Sequence, residues 1–216
     1  MKKFLVLGIL FILPITVYIF FATGKDNFAK LPVLTPNVAE LTEFRAIDGS
    51  FVKFKDNITV LGFFGKELLK SKGNAFNLAH KIYKKNRGFQ DFQLVIVLPE
   101  GLQDDSEELK IELEQIADTT QWKFVFGPDE AITTVFNSLG SNYYLDPNLA
   151  TSYVFIIDKN GNLRGRDDDD DEKEGVLYGF NSSDIADINN KMHDDIKIVL
   201  AEYRLALKKY KANRDI

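Results

Sequence analysis

One sequence pattern limits the possible folds of this chain more than any other. It consists of three short, mostly apolar runs, which are separated by segments of helical periodicity. The runs lie at Ile58–Phe64, Phe92–Leu98 and Trp122–Phe126. Continuous apolar runs are typical of strands buried on both faces of a sheet. Helical patterns fall between them, over Asn74–Asn86 and from Asp105 onward. This alternation predicts an α/β domain with a mainly parallel sheet and helices on both faces.

Further elements complete this pattern on both sides of the three runs. Phe51–Lys55 alternates apolar and polar residues, which predicts a half-buried strand. Pro128–Leu139 begins with Pro-Asp-Glu, a favourable first helical turn. Tyr153–Ile157 and Asn162–Arg166 are predicted to form a hairpin, because Asn160-Gly161 supplies positive φ angles for a tight turn.

A long amphipathic helix is predicted to close the chain, with Ser182 or Ser183 as its N-cap. A closing hairpin and helix distinguish a thioredoxin-like sheet from a doubly wound nucleotide fold. No GxGxxG or GxxxxGK motif follows a predicted strand, so phosphate binding has no support. The apolar stripe of the helix comprises Ile185, Ile188, Met192, Ile196, Val199, Tyr203 and Leu207.

The N-terminal segment predicts a membrane anchor. Phe4–Ala22 carries no charge and, as a helix, spans roughly 28 Å, close to the thickness of a bilayer core. Lys2 and Lys3 precede it, which predicts a single-pass inner-membrane protein with its domain on the periplasmic side. The alternative is a cleaved secretory signal, for which Ala22-Thr23-Gly24 is a weak site. The predicted divisions are an anchor over 1–23, a linker over 24–36 and a domain over 37–216.

The residue types present exclude several kinds of chemistry. The chain has no cysteine, which excludes disulfides, thiol nucleophiles and cysteine-bound metals. His80 and His193 are the only histidines, and both are interpreted as surface residues. The net charge is −5 and no basic footprint is present, so nucleic acid is not an expected partner. We expect neither an enzyme nor a cofactor.

Several short segments together resemble a known family. They are the Pro32-Val33-Leu34 start, the strand Thr59–Phe64, the helix containing Asn77-Leu78-Ala79 and the strand and turn over Phe155–Leu163, followed by the final amphipathic helix. Their order and spacing over roughly residues 32–208 resemble the SCO/SenC family of membrane-anchored, thioredoxin-like proteins. The resemblance implies a thioredoxin-like fold.

The resemblance also implies copper handling and thiol–disulfide exchange during cytochrome oxidase assembly. That family uses a CxxxC pair after the first core strand and a later histidine. Aligned on the shared segments, the cysteine positions fall at Glu67 and Ser71, and the histidine position falls at Ala150. A carboxylate, a hydroxyl and a methyl group do not suit Cu(I), which prefers sulfur and imidazole ligands. Glu67 and Ser71 are interpreted as a solvated first turn, with a polar pocket as the alternative.

Two other groups of residues are candidates for binding. The run 167–174 has net charge −6, and it is interpreted as a solvated loop, with weak divalent-ion binding as the alternative. Tyr143 and Tyr144 are the candidates for contact with a protein partner, because aromatic side chains often anchor interfaces. The candidate ion ligands are Asp167, Asp168, Asp169, Asp170 and Asp171.

The leading hypothesis is a redox-inactive, SCO/SenC-like module that acts by binding. Its partners would be the membrane, through Phe4–Ala22, and an unidentified protein in cytochrome oxidase or envelope-protein biogenesis. One alternative is an assistant in copper or thiol–disulfide transfer beside an active paralogue. Another is a structural tether with a cation-binding acidic loop.

Overall fold

The structure is a computed structural model that describes residues 2–23, 30–172 and 174–214. Its centre is one sheet of eight strands in the order β1-β7-β6-β3-β4-β5-β2, with β8 beside β6. The strands are β1 (Val33–Thr35), β2 (Arg45–Ala46), β3 (Ile58–Phe64), β4 (Phe92–Pro99), β5 (Trp122–Gly127), β6 (Ala150–Ile157), β7 (Leu163–Arg164) and β8 (Phe180–Asn181).

The sheet is mixed rather than mainly parallel. β3, β4 and β5 run parallel to one another, as the three apolar runs predicted. β6 returns antiparallel to β3, and β7, β8, β1 and β2 are all antiparallel to their neighbours. The crossover helices between β3, β4 and β5 account for the parallel centre, since parallel neighbours need such connections.

The described residues contain seven helices. Two π-helical turns, Ala79–Tyr83 and Ile188–Met192, extend two of them, and a 3-10 turn covers Leu68–Ser71. The helices are α1 (Lys2–Thr23), α2 (Lys72–Leu78), α3 (Lys84–Asn86), α4 (Gln103–Glu114), α5 (Asp129–Ser138), α6 (Ile185–Asp187) and α7 (His193–Arg214).

The core divides into two apolar layers, one on each face of the sheet. Val60 and Ile96 point to the layer covered by α2, α4 and α7. Leu61 and Val97 point to the layer covered by α5. This alternation along β3 and β4 follows from the two-residue period of a strand, so both faces of each apolar run are buried. The three central strands predicted from the sequence are confirmed.

The strand predicted over Phe51–Lys55 is wrong, although its burial pattern is right. Val52 and Phe54 are buried, but no neighbouring strand pairs with the segment. Instead, the Glu40 carboxylate accepts hydrogen bonds from the backbone amides of Phe54 and Lys55, both at 2.9 Å. A side chain thus supplies the partner that a strand would otherwise provide.

The start of the closing helix also differs from the prediction. Asp184 is the N-cap, and its carboxylate accepts from the amides of Ala186 and Asp187. Ser182 is buried and its hydroxyl donates to the Ser152 carbonyl, while the Ser183 hydroxyl donates to Asn181. Ile185 is therefore in the first exposed turn rather than on the buried stripe, and the side chain of Leu207 lies outside the described residues.

The predicted hairpin is confirmed with a different turn. β6 and β7 pair antiparallel, and Gly161 has φ +77°. Asn160 does not share the positive φ angle that was predicted for it. The Asp158 carboxylate accepts from the amides of Asn160 and Asn162 at 2.9 and 3.0 Å, which stabilises the turn from within.

The N-terminal helix α1 covers the segment predicted as the anchor. Within the residues that the structure describes, no helix combines the length and apolar character needed to cross a bilayer. The anchor over Phe4–Ala22 stays a prediction. Residues 24–29 of the predicted linker lie outside the described part of the chain, and Val33–Thr35 within it form the edge strand β1.

Candidate functional site

A cavity of about 670 Å³ opens at the carboxyl end of β3. The strand ends at Phe64, and the chain turns through Gly65 into the 3-10 turn Leu68–Ser71. Loop 144–152 and Ser183 form the facing wall. We call this the β3 cavity. Its lining residues are Phe64, Glu67, Lys70, Ser71, Asn74, Tyr144, Leu145, Asp146, Asn148, Ala150, Thr151, Ser152 and Ser183.

The β3 cavity contains all three positions aligned with the SCO/SenC ligands: Glu67, Ser71 and Ala150. Ser71 is buried and its hydroxyl donates to the Phe64 carbonyl at 3.3 Å. The Glu67 carboxylate forms an ion pair with the Lys70 ammonium at 2.7 Å and accepts a hydrogen bond from the side-chain amide of Asn148 at 2.8 Å. The interpretation as a solvated first turn is wrong for Ser71, and the polar pocket is the arrangement observed.

The facing loop is stabilised by its own hydrogen bonds. The Asp146 carboxylate accepts from the amides of Asn148 and Ala150 at 2.9 and 2.8 Å. Leu149 has a positive φ of 64°, an uncommon conformation for a branched side chain. Sequence reasoning overlooked Asp146 and Asn148, although Asp146-Pro147-Asn148 consists of turn-forming residues and was the available signal.

Gly65 allows the turn after β3 to pack closely against the facing loop of the β3 cavity. It has φ +66°, and a Cβ at this residue would lie 2.3 Å from the Asn148 carbonyl oxygen and 2.8 Å from the Ala150 nitrogen. The Lys66 amide donates to the same Asn148 carbonyl at 2.8 Å. Only glycine combines this backbone angle with so close an approach of two backbones.

Gly65→Ala should therefore lower the free energy of unfolding by about 2–4 kcal/mol, since it adds both backbone strain and a clash with main-chain atoms. Urea unfolding followed by the fluorescence of Trp122 measures the change, because Trp122 is the single tryptophan and is buried. Gly73→Ala is the matched control. Gly73 lies in α2 with nothing near its Cβ position, so alanine there should stabilise slightly. Equal effects at the two glycines would contradict this account.

The two candidate tyrosines have different surroundings. Tyr144 is 84% exposed and lines the β3 cavity. Tyr143 is half-buried: its ring stacks on Tyr153 at 3.7 Å, and its hydroxyl donates to the Gly179 carbonyl at 3.3 Å. Burial raises the pKa of the Tyr143 hydroxyl. Of the two tyrosines predicted to contact a partner, Tyr143 is thus largely engaged within the fold, whereas Tyr144 is exposed.

The donor atoms at the aligned positions do not fit copper. Glu67 offers a hard carboxylate that already binds Lys70 and Asn148, and Ser71 offers a hydroxyl directed at the Phe64 carbonyl. Ala150 offers no donor in its side chain. Cu(I) selects soft sulfur ligands and imidazole, so this set does not match the ion. The side chains at these three positions therefore do not make a Cu(I) site.

The acidic run is anchored to the domain rather than free in solvent. The Asp169 side chain is buried and binds Lys191 at 2.7 Å and Arg166 at 3.3 Å. Arg166 also binds both oxygens of buried Asp195, at 2.8 and 2.9 Å. Burial alone would raise the pKa of Asp169, but hydrogen bonds from Lys191 and the Asp171 backbone, together with the charges of Lys191 and Arg166, lower it. Burial raises the pKa of Asp195 despite its pairing with Arg166.

The interpretation of the run as a solvated loop is thus wrong at Asp169, whereas Asp167, Asp168 and Asp170 are exposed. Asp171 is exposed as well, although it also binds Lys191 at 2.8 Å. Lys173 lies outside the described residues. Nowhere in the described residues do three or more His, Asp or Glu side chains form a group that could hold a metal ion.

The two histidines differ in exposure. His80 is exposed, as predicted. His193 is half-buried, and its Nδ1 atom is buried without a hydrogen-bond partner among the described residues. Burial, followed by the charges of Lys85 and Lys197, lowers the pKa of His193. Neither histidine lines the β3 cavity.

Solved structures show what kind of fold this is. One similar structure is that of BsSco, described as a member of the Sco family of cytochrome c oxidase assembly proteins with a disulfide switch. Its TM-score is 0.54 at 12% sequence identity, and the match covers 79% of this chain and 98% of BsSco. A proposed protein disulfide isomerase from Bacteroides thetaiotaomicron has a TM-score of 0.52 at 12% identity, over 80% and 95% of the two chains. The fold is thioredoxin-like.

A third solved structure is similar over most of its length. It is a proposed electron transfer protein from Aquifex aeolicus VF5, with a TM-score of 0.51 at 13% identity, over 79% of this chain and 92% of that one. Neither a protein-family model nor a curated protein matches the sequence. The resemblance to the SCO/SenC family is therefore supported at the level of the fold.

Proposed function

We propose that this protein is a redox-inactive, SCO/SenC-like module that binds a protein partner at the β3 cavity. One observation carries the proposal: Glu67, Ser71 and Ala150, aligned with the two cysteines and the histidine of that family, line the same cavity. Under this proposal, the cavity corresponds to the family's site with its thiols absent. Without a thiolate it has no attacking group for disulfide exchange, so binding is the function that its geometry supports.

The surroundings of the cavity suit contact with a protein. Tyr144 projects from one wall with most of its ring exposed. Leu69 and Ile185 are also more than half exposed, and they lie one and two residues along the chain from the lining residues Lys70 and Ser183. Exposed aromatic side chains are typical of interaction sites, where they supply much of the binding energy.

The proposed setting is the periplasmic side of the inner membrane, with Phe4–Ala22 as the anchor. In this setting the partner belongs to cytochrome oxidase or envelope-protein biogenesis. An assistant role beside a thiol-bearing paralogue would use the same cavity. A tether acting through the acidic run is less well supported, because Asp169 is already bound by Lys191 and Arg166.

A comparison of three forms of the chain tests the proposal. Tagged wild type, Tyr144→Ala and Ile111→Ala are captured from detergent-solubilised membranes, and co-purifying proteins are identified by mass spectrometry. Ile111 is exposed on α4 and is the control. We expect a partner with wild type and Ile111→Ala whose recovery falls about tenfold or more with Tyr144→Ala.

The identity of the captured protein separates the alternatives. Oxidase subunits support the SCO-like role, and a thiol-bearing thioredoxin-fold protein or a copper chaperone supports the assistant role. Equal capture by all three forms would contradict binding at the β3 cavity.

A further inference from the structure

A second cavity adjoins the β3 cavity across the loop that closes it. It has a volume of about 400 Å³ and opens between helix α5 and residues 141–149. We call it the α5 cavity. Tyr144, Leu145 and Asp146 line both cavities. These three residues therefore form a ridge with a depression on each side.

The floor of the α5 cavity is apolar and belongs to the core. Phe136 is buried, and its ring meets those of Phe63 and Phe155 edge-on, with centroid distances of 5.3 and 6.0 Å. Leu145 and Leu149 also line the cavity and pack against the same apolar layer. A floor made of packed core side chains keeps its shape, so it suits an apolar group that fills it.

The lining of the α5 cavity carries little charge. Among the described residues that form it, Asp146 is the single acidic or basic side chain. Its carboxylate already accepts from the amides of Asn148 and Ala150. Burying a further charge beside this apolar floor without a partner is costly. The lining therefore selects an uncharged occupant.

One polar group in the wall of the α5 cavity lacks a partner. The Ser141 hydroxyl is buried and forms no hydrogen bond with any residue that the structure describes. Buried hydroxyl groups are normally hydrogen-bonded. A polypeptide brings backbone N–H and C=O groups that can bond to this hydroxyl, whereas a hydrocarbon brings none. The Ser141 hydroxyl thus favours a polypeptide segment as the occupant.

We propose that the α5 cavity receives an apolar side chain from an extended segment of the same partner that binds the β3 cavity. This inference rests on the proposed function. Tyr144 is mostly exposed on the shared ridge, so a segment that contacts its ring lies between the two cavities. An extended chain advances about 3.3 Å per residue, so a few residues are enough to cross the ridge. Apolar anchors that fill a pocket beside an exposed aromatic side chain supply much of the energy of an interface.

Photocrosslinking from helix α5 in intact cells tests this surface. p-Benzoylphenylalanine is placed at Asn137, which lines the α5 cavity, or at Thr134, which is exposed on the same helix outside the lining. We expect the Asn137 form to be joined to the same protein as a form with the crosslinker at Tyr144. The Thr134 form should give no such adduct. Peptide mapping should place the Asn137 and Tyr144 adducts within about ten residues of each other, in a segment with a large apolar residue.

Filling the α5 cavity gives a second, independent measurement. Asn137→Trp introduces an indole at an exposed position of the lining, so the fold should be kept, and Thr134→Trp is the matched control. Both forms are captured from detergent-solubilised membranes beside wild type. Asn137→Trp should recover about tenfold less of the partner than wild type, and Thr134→Trp should recover as much as wild type.

The contradicting results are distinct. Equal adducts at Asn137 and Thr134, equal recovery by the two tryptophan forms, or a mapped segment without an apolar residue would each overturn the proposal. An adduct between Asn137 and a second copy of the chain would overturn it in favour of a self-interface. Loss of the partner with Tyr144→Ala but not with Asn137→Trp would overturn the role of the α5 cavity and leave the proposed function in place. Capture of no partner by wild type would overturn both.

Discussion

Arg164→Met should lower the free energy of unfolding by about 3–5 kcal/mol, because it leaves a buried carboxylate without its counter-charge. The Arg164 side chain is 4% exposed and binds Asp158 at 3.1 Å and Glu202 at 2.7 Å. It also donates to the Leu31 carbonyl at 2.8 Å. This one guanidinium therefore joins the start of the domain, the β6–β7 turn and helix α7.

Urea unfolding monitored by Trp122 fluorescence measures the effect. Lys66→Met is the matched control, since the Lys66–Asp129 pair is about half exposed and should contribute less than about 1 kcal/mol. The double variant Asp158→Asn/Arg164→Met removes the stranded charge and should recover part of the loss. A loss below about 1 kcal/mol for Arg164→Met would show that the network is not needed for stability.

Glu67→Cys/Ser71→Cys/Ala150→His should bind about one equivalent of Cu(I), whereas we expect the wild type to bind none. The three positions line one cavity, and the turn carrying the first two is anchored by Gly65 and Ser71. Serine and cysteine are close in size, so the change at buried Ser71 should be tolerated. Two thiolates and an imidazole then supply the soft ligands that the present donors lack.

Competition with a chromophoric Cu(I) chelator measures the affinity. The control is Glu67→Cys/Ile111→Cys/Ala150→His, in which the second thiol lies on the exposed surface of α4. It has the same composition without the shared cavity, so it should bind much more weakly than the first variant. Equal affinities for the two variants would mean that the aligned positions do not form a site. Stoichiometric Cu(I) in the wild type would contradict the fit argument.

The central sheet could be predicted because burial on both faces leaves an unmistakable pattern. Nearly every position is apolar in the strands Ile58–Phe64 and Phe92–Pro99, and each strand contributes side chains to both layers of the core. Phe51–Lys55 shows the limit of the same reasoning. Its alternating pattern predicted the burial of its side chains correctly. However, the Glu40 carboxylate accepts hydrogen bonds from the backbone amides of Phe54 and Lys55. A contact between residues so far apart in the sequence leaves no local pattern.

The candidate site could be located from the sequence but not described. The resemblance to the SCO/SenC family selected Glu67, Ser71 and Ala150, and the fold places these three residues around one cavity. The loop that closes the cavity depends on Asp146, whose two hydrogen bonds form only in the folded turn. The burial of Asp169 was missed for a related reason. A run of like charges predicts solvation, whereas Lys191 and Arg166 reach it through the fold.

Site-specific crosslinking in intact cells tests the central claim most directly. p-Benzoylphenylalanine is placed at Tyr144, on the wall of the β3 cavity, or at Ile111 on the exposed face of α4. The account predicts that illumination joins the Tyr144 form to one defined protein and that the Ile111 form yields no such adduct. The absence of an adduct at Tyr144, or the same adducts at both positions, would contradict a function based on binding at this cavity.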